Sequence, residues 1–117
     1  MLEIPKPEVV SLKPYDFKLD IVHEDDLCIA FNDINPVAPI HILIIPKVHI
    51  PTLNDLLPEQ TELVGELIHV SKNLAKLKGI DQNGYRVGFN CNADAGQTVY
   101  HIHLHLLGGR PFSWPPG

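Results

Sequence analysis

The chain of 117 residues has little cysteine, no long apolar run and no excess of basic charge. Each lack narrows what it can be. Nine Lys and Arg stand against 14 Asp and Glu, a formal charge of −5. A general nucleic-acid binder usually carries a basic face, which that balance disfavours. A small anionic ligand stays open, because one site can be electropositive within an acidic protein. The longest apolar candidate, IHILIIP, is strand-length, so no membrane span is expected. The start, MLEIPKPEVV, has no basic segment followed by an apolar one, so no secretory signal is read there. Cys28 and Cys91 form no CxxC pair. The expectation is two reduced thiols in a cytoplasmic protein, with the nucleus also open; a disulfide and a metal ligand are the alternatives.

What is present suits one domain with one core. Residues 1–20 are rich in proline and charge and are expected to form an N-terminal arm, partly extended; residues 21–117 form the domain. DLCIAFND reads as a strand, INPVAP as a proline-forced loop and IHILIIP as a second strand ended by Pro46. Leu63, Leu67, Val70, Leu74 and Leu77 recur at helical spacing. Pro58 suits the first turn of that helix and Gly79 its C-terminal cap. GYRVGFN and VYHIHLHLLG read as the last two strands, separated by the polar loop CNADAGQT. Four or five strands and one long helix predict an α+β class, a mostly antiparallel sheet with the helix on one face.

The chemistry concentrates near the C-terminus. His101, His103 and His105 alternate with Ile102, Leu104 and Leu106. In a strand that alternation puts the imidazoles on one face, successive Cα atoms roughly 6–7 Å apart, and the aliphatic residues on the other, under the helix. A lone histidine on a sheet is usually structural, but three in strict alternation are hard to explain by packing. A metal site is one reading, with His41 and His49 as further ligands. Nucleophilic catalysis is the other. A neutral imidazole needs no separate base, and phosphorus is an attractive target for it. Gly96, Gln97 and Thr98, just upstream, offer close backbone approach and hydrogen bonds. Periodicity alone does not choose between metal and nucleophile.

GQTVYHIHLHLLGGR resembles the signature of the histidine triad (HIT) superfamily, His-x-His-x-His followed by two apolar residues. AFNDINPVAPIHILIIPKVHI resembles that family's nucleotide-binding half. GYRVGFN and the closing WPPG resemble its Hint branch, the histidine triad nucleotide-binding proteins. The resemblance covers about residues 21–117.

The resemblance implies a HIT-like fold, with a five-stranded sheet and one long helix per protomer and a ten-stranded sheet across a homodimer. It implies a purine nucleoside phosphoramidase that cleaves the P–N bond of adenosine 5′-phosphoramidates to AMP and an amine, with no cofactor and no metal. His103 would be the nucleophile and His105 would hydrogen-bond the α-phosphate. His101 would sit behind His103 and relay through His41, and Thr98 would lie near the leaving group. Asn90 and Gln97, with backbone around Gly96 and Val99, would contact phosphate and ribose, and Asp33 would accept from the ribose hydroxyls. Phe31, Ile34 and Leu43 would line the purine pocket, and Trp114 would reach the partner's active site. On pattern alone Asp33 is a turn residue and the three apolar residues are core or rim. His23, His49 and His69 read as surface or structural. The chain departs from the branch at its start, where Tyr15, Phe17 and Leu19 stand in for the segment that closes the purine pocket. Asn32 stands where histidine or arginine is common. A dinucleoside polyphosphate hydrolase of the Fhit type, a nucleotide-binding or scaffolding protein, and a zinc protein are the competing readings; WPPG argues against the first.

Overall fold

A computed structural model describes residues 19–117. The expected arm therefore falls outside the described residues except for Leu19 and Asp20. The strands are β1 (Ile21–Glu24), β2 (Cys28–Asn32), β3 (Ile40–Pro46), β4 (Tyr85–Gly88) and β5 (Leu104–Gly108), and the helix is α1 (Thr61–Leu77). They form one sheet in the order β1-β2-β3-β5-β4 with every neighbouring pair antiparallel. The α+β expectation holds, and consecutive strands β2–β3 and β4–β5 pair antiparallel. The sheet has the five strands that the resemblance implies; β1, for which no segment is singled out in the sequence, is four residues long and at an edge.

The sheet separates two apolar clusters. Ala30, Ile42, Ile44, Leu104 and Leu106 pack with Leu67, Val70, Leu74 and Ala75 of α1. On the other face Ile29, Phe31, Leu43 and Ile45 form a smaller cluster, with Leu19 and Val99 against it. Strand β3 feeds both, which explains its nearly continuous apolar run: a central strand covered on both faces has no solvent face to mark with polar residues. Its one polar side chain, His41, is buried. Burial of Leu67 is complete, so Leu67→Ala is expected to cost about 2–5 kcal/mol.

Helix α1 begins after a turn of 3-10 helix at Pro58–Gln60, where Leu57 donates its N–H to Gln60 Oε1 at 2.9 Å. It ends as expected at Gly79, whose φ is +72°. Gly79 donates to the Lys76 carbonyl and Ile80 to the Ala75 carbonyl, the paired bonds of a Schellman cap. One expectation fails: Leu77 is 73% exposed. The stripe stops at Leu74 because the chain turns at Gly79, and Ile80 fills the core position instead.

The last strand is shorter than VYHIHLHLLG. The ladder pairs Ile44 with Leu104 and goes no further toward the N-terminus of β5. The partner strand ends at Pro46, and the ring of His101, not a main-chain amide, engages the Pro46 carbonyl at 2.8 Å. Ile102 N–H donates to the carbonyl of Ile50, beyond the strand, at 2.8 Å. His101 and His103 thus lie on an irregular approach to β5, and only His105 is in the strand. Leu104 and Leu106 do face the helix; Ile102 is buried but outside that cluster.

Candidate active site

Five histidines are linked by ring contacts around His41 and His105, which share the sheet face of Leu43, opposite α1. The ring partners of each fix where its protons sit, because a carbonyl only accepts and an amide N–H only donates. His103 Nδ1 is 2.8 Å from the His101 carbonyl, so it carries hydrogen and donates. In the neutral ring the lone pair is then on Nε2, the free nitrogen. His101 Nε2 likewise donates to the Pro46 carbonyl. Burial holds His101 down at about 4, so the ring is neutral near pH 7 and its Nδ1 is an acceptor. The ring of His49 meets that atom: His49 Nδ1 lies 3.1 Å away with the rings stacked, their planes 11° apart.

A second chain runs through His41. The amide of Val37 donates to His41 Nδ1 at 3.1 Å, which leaves the hydrogen on Nε2. Burial, opposed by the nearby Asp33 carboxylate, keeps His41 below the usual imidazole range. His41 Nε2 donates to His105 Nδ1 at 3.0 Å. His105 is held at about 4, chiefly by burial, so it too is neutral and its hydrogen sits on Nε2. Among the described residues that nitrogen is the one buried side-chain polar atom without a hydrogen-bond partner. An unpaired buried donor costs about 1–3 kcal/mol, which an anionic oxygen would relieve. The rings of His103 and His105 meet edge to face, centroids 4.9 Å apart.

The expected His101–His41 pair is not formed. His41 serves His105, and His101 is paired with His49, which sequence reading set aside as surface or structural. The signal for His49 was present: it stands three residues past Pro46, where the chain leaves β3 beside His101.

Asp33 lies just past β2. Its Oδ1 accepts the Asn35 N–H at 2.9 Å, as a turn aspartate does, and its Oδ2 is 3.4 Å from His41 Nε2. Asp33, His41 and His105 bring an oxygen and two nitrogens within 4.8 Å of one another, a set that could ligate a divalent ion. Phe31 and Leu43 belong to the apolar cluster on this face, whereas Ile34 is 60% exposed. Gln97 is buried and its side chain is committed to backbone: Nε2 donates to the Pro51 and Val99 carbonyls, and Oε1 accepts from Asn92 N–H. It shapes the loop rather than offering its amide to a ligand. Within that loop Gly96 adopts φ +82°, and Thr98 and Asn90 are exposed. Trp114 is 83% exposed at the end of a tail anchored to the body. Arg110 donates to the Val37 carbonyl, Arg86 donates to the Ser113 carbonyl, and both guanidinium groups lie over the Phe112 ring.

Comparison with known proteins gives the chain a family. The HIT domain family matches residues 16–112. The purine nucleoside phosphoramidase of Escherichia coli strain K12 is 54% identical over 92 residues, 79% of this chain and 77% of that one. A HIT-like protein of Synechocystis is 54% identical over 97 residues, 83% of this chain and 84% of that one. Among solved structures, a HIT family hydrolase from Legionella pneumophila superposes with a TM-score of 0.85 at 49% identity, covering 89% of this chain and 93% of that one. With the HIT domain matched over residues 16–112 and relatives 54% identical over most of both chains, the chain belongs to the histidine triad (HIT) family.

Proposed function

We propose that this chain is a purine nucleoside phosphoramidase. It would hydrolyse the P–N bond of an adenosine 5′-phosphoramidate to AMP and an amine through a nucleotidyl-histidine. The observation that carries this reading is the ring of His103: Nδ1 is tied to the His101 carbonyl and Nε2 is left as a lone pair. The name of the Escherichia coli relative supports the same substrate class.

The steps balance. His103 Nε2 attacks the α-phosphorus, the P–N bond breaks, and the amine leaves with one proton from the medium beside Thr98. The ring becomes a cationic phosphoimidazolium whose Nδ1–H still faces the His101 carbonyl dipole. The Nε2–H of His105 donates to a phosphoryl oxygen. Water then attacks phosphorus, returns one proton to the medium, and releases AMP and neutral His103. The apolar cluster of Phe31 and Leu43 would seat the purine, and the Asp33 carboxylate would accept from the ribose hydroxyls once the nucleotide is bound. No step uses a cofactor.

The ligand side is completed by a homodimer in this reading. Strand β4 is an open edge, and α1 leaves Ile68 and Leu77 exposed. Pairing two β4 strands would give ten strands and cover such an edge, which isolated sheets otherwise leave as an aggregation hazard. The tail passes Arg86 on β4, so it would carry Trp114 toward the second copy. Light scattering should report a dimer; a monomer at micromolar concentration contradicts this part.

The test of the reaction is a panel of AMP and GMP phosphoramidates with varied amines, run beside a diadenosine polyphosphate. Phosphoramidates should turn over much faster. His103→Ala should abolish turnover while AMP still binds. Substantial activity in that variant would overturn the mechanism, and preference for the dinucleotide would move the chain to the Fhit type.

A further inference from the structure

A second cluster of metal-ligating side chains lies away from the catalytic histidines, in the tight turn between β1 and β2. The stretch His23-Glu24-Asp25-Asp26-Leu27-Cys28 folds so that His23, Asp25 and Cys28 each offer a ligand atom within 4.8 Å of the others. The turn sets this up through Asp25. Its Oδ1 accepts the N–H groups of Leu27 and Cys28 at 2.7 and 2.9 Å, which fixes the carboxylate. Its Oδ2 is left facing two groups at once: His23 Nε2 at 2.7 Å and Cys28 Sγ at 3.5 Å. Imidazole nitrogen, thiol sulfur and carboxylate oxygen thus point at one another.

We propose that His23, Asp25 and Cys28 form a binding site for a zinc-class divalent ion, distinct from the catalytic histidines. The donor set decides the class. Calcium and magnesium take oxygen ligands and would gain nothing from the sulfur or the ring. One thiolate, one imidazole and one carboxylate suit a borderline ion such as Zn²⁺ or Co²⁺. Three protein ligands leave one tetrahedral position. Water fills it, because the His23 and Asp25 side chains are 35% and 36% exposed. The two amide bonds to Asp25 Oδ1 are the outer support that metal-binding carboxylates usually have.

The proton balance is simple. The ion replaces the hydrogens now shared with Asp25 Oδ2. The Cys28 thiol proton goes to solvent, and the His23 hydrogen that faces Asp25 leaves Nε2 through solvent, so that the ring binds the ion as the neutral Nδ1–H form. No redox step is involved. An ion there clasps β1, an edge strand, to β2. The cluster is separate from the reaction: Cys28 packs in the α1-side core, while His41 and His105 lie on the face of Leu43.

Cobalt distinguishes this site from the Asp33–His41–His105 group, which has no sulfur. The protein would be prepared as Cys91→Ser, reduced with a phosphine and titrated with Co²⁺. A sulfur-to-cobalt charge-transfer band in the near ultraviolet should saturate at one ion per chain and be displaced by Zn²⁺. It should vanish in Cys28→Ala. His23→Phe, a change at a half-exposed position, should weaken cobalt binding by at least about tenfold. Absence of the band at saturating Co²⁺ overturns the proposal, as does a band that survives Cys28→Ala. If Cys28→Ala fails to fold, His23→Phe decides: unchanged cobalt affinity there also overturns it.

Discussion

His103 Nδ1 lies 2.8 Å from the main-chain oxygen of His101, two residues earlier. Because a carbonyl cannot donate, that contact sets the tautomer of the ring on which the proposed chemistry depends. The same logic puts the hydrogen of His101, His41 and His105 on Nε2. Nitrogen-15 spectra of the imidazoles at pH 7 should therefore show His103 as the Nδ1–H form and the other three as Nε2–H. An Nε2–H form at His103 would contradict the assignment of its free nitrogen.

The His41–His105 contact predicts an indirect role for His41. His105 faces phosphate in the proposed reaction, so His105→Ala should lower kcat by about 10²–10⁴-fold. His41 acts through His105 as a positioning residue. His41→Phe should lower kcat less than His105→Ala while shifting the pH profile of kcat, since it removes the donor that sets the His105 tautomer. An unchanged pH profile would show His41 to be structural only.

Stability should fall with mild acid. His101 and His105 are held at about 4, against 6.5 for the free group. Between those values the unfolded chain binds protons that the folded chain does not, so unfolding free energy rises with pH there. The contribution is intact above about 6.5 and is lost as pH falls toward 4, on the order of a few kcal/mol in all. The urea midpoint should drop clearly from pH 7 to pH 5. His23–Asp25 acts in a lower window: the hydrogen bond from His23 first, then the turn amides, holds Asp25 at about 2. A midpoint flat between pH 7 and 5 would contradict the neutral, buried rings.

The two cysteines should differ in reactivity in the ion-free protein. Burial, reinforced by Asp25, pushes the Cys28 thiol up to about 12, and its side chain has no exposed surface. Cys91 is partly exposed and unbridged. A thiol reagent at pH 8 should modify one cysteine in the native protein and two in denaturant. Rapid native labelling of both would contradict the packing of Cys28.

Much of this was legible in the sequence where a pattern has one physical cause. The α1 stripe, Pro58 and Gly79 place a helix and its ends, and the apolar run of β3 marks a strand covered on both sides. Alternation around His103 correctly sends Leu104 and Leu106 to the helix side. It overextends the strand, because nothing local says that the His101 ring will engage the Pro46 carbonyl in place of a ladder bond. Ring pairings such as His49 with His101 join residues 52 apart in sequence and follow from the fold alone. Gln97 looked like a ligand group because its amide could serve one; the loop consumes that amide in backbone bonds. Among the described residues, no helix is long and apolar enough to cross a membrane, in line with the short apolar runs.

The most direct test of the central claim is to catch the covalent intermediate. Protein and an AMP phosphoramidate would be mixed, quenched in alkali within one turnover, digested and mapped by mass spectrometry. A nucleotidyl group on the peptide carrying His103, assigned to that residue by fragmentation and absent in His103→Ala, is the predicted result. Turnover with no adduct at any quench time, or an adduct on His101 or His105 instead, would contradict it.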